Sequence, residues 1–73
     1  MSLLSERLKK TRLDRSITQR AVADYLGIAE VSYQRFEYGS SKPRLDSIIG
    51  IAKLFNVSID YLVGLTDNPA INR

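Results

Sequence analysis

Residues 18–39 have the sequence TQRAVADYLGIAEVSYQRFEYG, in which two short amphipathic segments meet at Gly27. Apolar side chains recur at helical spacing on both sides of this glycine, at Val22, Ala23 and Leu26 before it and at Tyr33 and Phe36 after it. Thr18 can cap the first segment, because its hydroxyl can accept a hydrogen bond from a free first-turn amide. The pattern predicts two helices, of about residues 18–26 and 29–38, joined by a tight turn at the glycine.

The first helix of the chain is predicted to begin at about Leu4 or Ser5, with Ser5 as its N-cap, and to end near Asp14. Turn-forming residues near the other end indicate a frayed tail over residues 66–73. A chain of 73 residues can build one hydrophobic core only. Residues 1–65 are therefore expected to form a single domain.

Two more helices are predicted between the helix pair and the tail. One spans about residues 45–55, with buried positions at Leu45, Ile48, Ile49, Ala52 and Phe55. Asn56 ends it, and Ser58 caps a last short helix of residues 59–63 that Gly64 closes. The sequence gives no sign of strands, because apolar residues do not alternate with period two and no Asn-Gly or Asp-Gly pair is present. The predicted fold is all-α, a compact five-helix bundle.

The amino-acid composition argues against several classes of function. The chain has no cysteine and no histidine, so disulfides, thiolate zinc sites, thiol nucleophiles and the usual general base are excluded. We therefore predict no enzyme, no metal and no cofactor. The opening residues lack the apolar stretch of a secretory signal, and no run is long enough to span a membrane, so a cytoplasmic location is expected.

Positive charge is concentrated in the first half of the chain. Residues 1–44 carry nine lysines and arginines against five acids, whereas residues 45–73 carry two against three. A basic half on a chain of net charge +3 suits a polyanionic partner such as nucleic acid. The short turn between the two central helices fits either a DNA-binding corner or an ordinary corner in a helical bundle.

The residues around the turn resemble the lambda-repressor-like family, also called the Cro/cI or XRE type. The matching elements are Ser16-Ile17-Thr18-Gln19, Val22-Ala23, Leu26-Gly27, Ser32, Arg35, Glu37, Gly39, Lys42-Pro43 and Phe55-Asn56-Val57-Ser58-Ile59-Asp60-Tyr61-Leu62. The resemblance covers about residues 6–69. It implies a helix-turn-helix at about residues 18–38 in a bacterial or phage transcription regulator, acting as a repressor. The helix of residues 29–38 would then lie in the major groove of double-stranded DNA.

Further positions follow from the resemblance. The family's base-reading positions correspond to Glu30, Val31, Ser32 and Arg35. An arginine can bind guanine bidentately, and a valine can contact a thymine methyl. Two alternatives stay open: Val31 could be partly buried against the preceding helix, and Arg35 could pair with a phosphate or with an acid of the chain.

The resemblance also implies contacts with the DNA backbone or from the second helix. These contacts fall at Thr18, Gln19, Arg20, Ser40, Ser41, Lys42 and Arg44. Gln19 would bond a phosphate or a base edge, and the loop would fix register through phosphates; solvated polar side chains are the alternative. A structural ion pair between Arg12 and Glu37 would bridge the first and third helices.

Three departures from the family pattern change what can be expected. Ala29 stands where the family has serine or threonine, so the recognition helix loses its side-chain cap. Glu30 is an acid facing a negatively charged groove, where it can accept from cytosine but rejects many sequences. Tyr38 and Ser40 stand where the family commonly has asparagine and lysine, and these replacements weaken the binding of phosphates.

The expected partner is a palindromic operator bound by a homodimer, because one small domain contacts too few base pairs for useful specificity. Leu54, Tyr61 and Leu65 are the candidate dimer residues, as exposed apolar side chains of the last third. The alternative is a protein-interaction module of the same fold, such as an antitoxin or adaptor. The basic face from Gln19 to Arg44 favours DNA.

Overall fold

The computed structural model describes residues 3–71, which contain five α-helices and no β-strand. The helices are α1 (Leu3–Asp14), α2 (Gln19–Leu26), α3 (Glu30–Tyr38), α4 (Leu45–Phe55) and α5 (Ile59–Val63). α1 packs against α3 and α5, α2 packs against α3 and α4, and α4 also packs against α5. The predicted all-α five-helix bundle is confirmed. Within the described part of the chain, none of the helices is long and apolar enough to cross a bilayer.

The start of α1 differs from the prediction. The helix begins at Leu3, so Ser5 lies inside its first turn and the predicted N-cap at Ser5 is wrong. The side chain of Ser5 is buried because it lies three residues before the fully buried Leu8, on the same face of the helix. The predicted end is correct: α1 stops at Asp14, and Ser16 follows in the left-handed region with φ 56°.

Side-chain caps begin α2 and α5, as predicted. The hydroxyl of Thr18 accepts from the amide of Ala21, and that of Ser58 accepts from the amide of Tyr61, both at 3.0 Å. Each cap satisfies an amide that has no partner within its own helix. Because both hydroxyls are engaged in this way, α2 and α5 start at fixed points in the chain.

The buried face of α4 is rotated relative to the prediction. Leu45 is 66% exposed, so its predicted burial is wrong, whereas Ile51 is fully buried and was not predicted. Ala52 and Phe55 are buried as expected. The buried arc centres on Ile51 and Phe55, one turn apart, because α4 packs against both α2 and α5. Leu45, in the first turn, falls at the edge of this arc.

The core fills the space between the helices with apolar side chains. Its buried members are Leu8, Val22, Ala23, Tyr33, Ile51, Ala52, Phe55, Val57 and Leu62. Gly50 allows α4 to approach α2 closely, since a Cβ at this position would lie 2.9 Å from Cδ2 of Leu26. This close packing against α2 gives a reason for a glycine in the middle of α4.

The segment after α5 is tied to the bundle by Arg7. The guanidinium donates to the backbone oxygens of Tyr61 and Thr66 and pairs with Asp67 at 2.6 Å. It also lies 4.3 Å from the ring centroid of Tyr61. The amide of Ser58 donates to the oxygen of Pro69 at 2.9 Å. These contacts hold residues 66–69 against the bundle, so the predicted frayed tail is not seen there. Residues 72 and 73 of the expected tail lie outside the described residues.

Candidate nucleic-acid interface

α2 and α3 meet at a tight corner centred on Gly27. This residue has φ 71°, a conformation that costs other L-residues about 1–2 kcal/mol. Its amide and the amide of Ile28 bond to carbonyl oxygens of the last turn of α2. Only three residues, Gly27 to Ala29, separate the two helices, and α3 packs against α2.

The outer face of α3 is exposed along its whole length. Glu30, Val31, Arg35 and Tyr38 are exposed, with Val31 at 50% and Tyr38 at 66%. At about 100° per residue these positions fall on one continuous arc of the helix. Half of the surface of Val31 is therefore open to solvent, and the alternative of partial burial against α2 stays open for the other half. Ala29 forms no side-chain cap at the start of α3, because its methyl group has no atom that can accept a hydrogen bond.

Ser32 does not share this face with the other three candidate base-reading residues. It is half-buried, and helical geometry turns it toward the side of Phe36, which packs against the core. Ser32 therefore lies at the boundary between the outer and inner faces of α3, and it is less exposed than the other three candidates. Arg35 is exposed and forms no ion pair within residues 3–71, so the alternative of a pair with an acid of the chain is not seen.

Arg12 and Glu37 form a buried ion pair between α1 and α3. Nε of Arg12 lies 2.6 Å from Oε2 of Glu37, and its NH2 group lies 3.1 Å from Oε1. The Arg12 side chain is 10% exposed and that of Glu37 is 1% exposed. Burial by itself would raise the pKa of Glu37, but hydrogen bonds from Arg12 and Gln19 and the charge of Arg12 hold that pKa below its usual value. Glu37 is therefore a charged acceptor at neutral pH.

Gln19 extends this ion pair across α2. Its Nε2 donates to Oε1 of Glu37 at 3.2 Å, and its Oε1 accepts from Nε2 of Gln34 at 3.3 Å. Gln34 was not predicted as a site residue, although it lies between Glu30 and Tyr38 on the outer face of α3. The one available signal was its helical position, because a lone glutamine belongs to no motif.

The remaining candidate residues surround α3. Lys42 and Arg44 are exposed, and Ser41 is half-buried. The hydroxyl of Ser40 donates to the carbonyl oxygen of Arg35 at 3.4 Å, which ties the loop to the end of α3. Arg20 is exposed on α2, and its Nε lies 4.0 Å from Asp24, so this pair is weak. These side chains leave three exposed cations around α3.

The predicted dimer residues are only partly exposed. Leu54 and Tyr61 are half-buried and pack against the core, so the expectation that they are free apolar surface is wrong. The guanidinium of Arg7 covers the ring of Tyr61. Leu65, at 78% exposed, is open as predicted. Over residues 3–71, no group of three acidic, histidine or cysteine side chains is placed to hold a metal ion.

Comparison with known proteins identifies this arrangement. The sequence profile of the helix-turn-helix family matches residues 8–62, which include α2, the Gly27 corner and α3. The chain belongs to the helix-turn-helix family. The resemblance to lambda-repressor-like proteins inferred from the sequence is thereby confirmed, with α2 and α3 as the helix-turn-helix.

Relatives in the family are transcription regulators by name. The HTH-type transcriptional regulator YobD of Bacillus subtilis (strain 168) is 42% identical over 64 residues, which are 88% of this chain and 57% of the relative. YqaE of the same organism is 41% identical over 94% of this chain and 60% of its own length. The cryptic phage CTXphi transcriptional repressor RstR of Vibrio cholerae is 36% identical over 84% of this chain and 54% of its own. The chain thus spans less than two thirds of the length of each of these relatives.

Two solved structures share the fold. The P22 c2 repressor, solved in complex with a synthetic operator, superposes with a TM-score of 0.78 and 25% identity over 86% of this chain and 96% of that one. A transcriptional regulator from Listeria innocua superposes with a TM-score of 0.78 and 26% identity over 84% of this chain and 57% of that one.

Proposed function

We propose that this protein is a sequence-specific regulator of transcription, acting as a repressor, that binds duplex DNA with α3 in the major groove. The observation that carries the proposal is the outer face of α3, where Glu30, Val31 and Arg35 are exposed while Glu37 fixes the inner face to α1. An exposed, firmly positioned helix preceded by a short corner is the geometry that enters the groove.

The proposed roles divide according to position. Glu30, Val31 and Arg35 read base edges, and Ser32 contacts the DNA only from the edge of the helix. Arg20, Lys42 and Arg44 neutralise phosphates, with the loop hydroxyls of Ser40 and Ser41 and the start of α2 at Thr18 and Gln19 beside them. The hydroxyl of Thr18 accepts a hydrogen bond from its own helix, and its O–H remains available to donate to a phosphate.

A homodimer on a palindromic operator is part of the same proposal, since two copies double the number of base pairs that are read. Leu65, which is exposed after α5, is the apolar residue that we assign to the contact between two copies. Residues 1–65 carry all the proposed contacts and form the DNA-binding domain. The protein acts in the cytoplasm, where bacterial DNA lies, and its chemistry is binding without catalysis.

The test is selection of bound fragments from genomic DNA, followed by direct binding to the enriched duplex and sedimentation of the protein with and without it. We expect one enriched palindromic sequence and a complex of two chains per duplex. An absence of any enriched sequence would overturn the proposal and favour the protein-interaction module of the same fold.

A further inference from the structure

We propose that Gln34 is a further specificity-determining residue, whose amide reads an adenine in an orientation set by Gln19, Glu37 and Arg12. The inference rests on the proposed function, because it assigns a role within the same interface. It arises from a chain of hydrogen bonds that runs from α1 to the outer face of α3.

Gln34 lies on the part of the outer face of α3 that is next to α2. It follows Glu30 by four residues and Val31 by three, and it precedes Tyr38 by four, so all three neighbours share its side of the helix. Each of these neighbours is exposed, whereas Gln34 is half-buried because its amide rests on Gln19 of α2. Gln34 therefore faces the same partner as the outer face of α3.

The charge of Glu37 determines the direction of both amides. A carboxylate can only accept, so Gln19 must turn its NH2 group toward Glu37 and its carbonyl oxygen away. That oxygen in turn requires the NH2 group of Gln34, which donates to it at 3.3 Å. Arg12 keeps the carboxylate charged and in place through two hydrogen bonds. The two amides are the chain's only glutamines, and neither can flip without losing a bond.

In this orientation, the Gln34 amide keeps a defined set of free hydrogen-bonding groups. One N–H of Nε2 is used by Gln19, while Oε1 and the second N–H make no hydrogen bond within residues 3–71. An acceptor and a donor side by side on one amide match N6 and N7 of adenine in the major groove. The free amide is thus complementary to one base and is held in that state before DNA arrives.

Holding the side chain in advance also favours binding. A free glutamine loses up to about 2 kcal/mol of rotamer entropy when it is ordered. The bond to Gln19 restricts the side chain already in the unbound protein, so less of this cost is incurred on binding. Gln19 is accordingly a positioning residue, which acts on the base through Gln34.

The experiment uses the full chain and a randomised duplex library to define the preferred sequence of the wild type. Binding is then measured to every single-base variant of that sequence for the wild type, Gln34→Ala, Gln19→Ala and the double variant. Gln34→Glu keeps the length of the side chain but removes its donor. Asn68→Ala, a carboxamide in the segment after α5, is the matched control. Thermal unfolding of each variant accompanies the binding data.

We expect the wild type to prefer adenine about tenfold at one base pair per half-site. Gln34→Ala and Gln34→Glu should abolish this preference at that base pair, with the melting temperature of Gln34→Ala unchanged. Gln19→Ala should reduce the preference at the same base pair, and the double variant should lose no more than Gln34→Ala alone. Asn68→Ala should leave the whole profile as it is.

Three results would overturn the inference. Gln34→Ala could keep the wild-type profile, it could weaken every duplex equally together with a lower melting temperature, or Gln19→Ala could alter a different base pair. In all three the wild type still selects a sequence, so the proposed function stands. If the wild type selects no sequence, the proposed function fails and the inference fails with it.

Discussion

Nε of Arg12 lies 2.6 Å from Oε2 of Glu37, and this contact joins the last turn of α1 to the last turn of α3. The same guanidinium donates to the backbone oxygen of Ile17 at 3.0 Å, immediately before α2 begins. One side chain therefore links α1 to α3 and to the residues that lead into α2. Its partner Glu37 is the residue through which α3 is tied to α1.

Breaking this ion pair should lower stability and DNA binding together. Glu37→Ala leaves Arg12 buried without its counter-charge, which costs about 3 kcal/mol of the free energy of unfolding. Chemical denaturation measures this loss, and titration with the selected duplex measures the loss of affinity. Glu6→Ala, an exposed acid on α1, is the control and should change neither. An unchanged denaturation midpoint in Glu37→Ala would contradict the structural role of the pair.

The pH dependence of stability should also change at this residue. The pKa of Glu37 is lowered in the folded protein. A carboxyl group of this kind contributes stability that is fully present above its unfolded pKa of about 4.3 and is lost as the pH falls through the folded pKa. The wild type should therefore lose more stability than Glu37→Gln between about pH 6 and pH 3. Thermal unfolding at both pH values measures the difference; equal losses would show that the carboxylate contributes nothing.

Reading of bases and binding of phosphates should be separable by mutation. Arg35→Ala should cost about 1–3 kcal/mol on the preferred duplex and relax preference at one base pair per half-site. Lys42→Ala should weaken all duplexes alike and reduce the salt slope of log affinity by about one, because it releases one phosphate contact. Lys53→Ala, at the end of α4 beside α5, is the control for Lys42. If Lys42→Ala alters the sequence profile and Arg35→Ala does not, α3 does not dock as proposed.

The left-handed backbone at Ser16 should be a source of extra stability. Ser16 is exposed and has φ 56°, which strains an L-residue, whereas glycine adopts this conformation freely. We expect Ser16→Gly to raise the free energy of unfolding by about 0.5–1 kcal/mol, the strain relieved less the added flexibility of the unfolded chain. Asn56→Gly, at φ 58°, should gain less because asparagine tolerates the conformation. A lower melting temperature for Ser16→Gly would contradict this account.

The sequence predicted features that depend on single residue types. Thr18 and Ser58 cap helices, and Gly27 ends one, because a hydroxyl or a missing Cβ has the same local effect in any fold. Periodicity also identified the five helices. These predictions needed no knowledge of which helices become neighbours.

Features that depend on packing could not be predicted in this way. Leu45 and Ile51 both fit the apolar pattern of α4, and only the positions of α2 and α5 decide that Ile51 is buried. Ser5 has the chemistry of a cap, but its position beside Leu8 places it in the interior. Gln34 has no sequence signature beyond its helical position, because its orientation depends on a second glutamine fifteen residues earlier.

Gly27 and Gly50 are glycines for opposite reasons. A Cβ at Gly27 would meet no atom within 4 Å, so only its backbone conformation disfavours other residues. Gly50 has an ordinary helical backbone, and a Cβ there would require the end of the Leu26 side chain to shift. The first glycine therefore acts through the backbone that leads into α3, and the second acts through the packing between α4 and α2. A substitution at Gly27 would disturb the corner between α2 and α3, whereas one at Gly50 would press on Leu26 at the end of α2 and leave the corner backbone as it is.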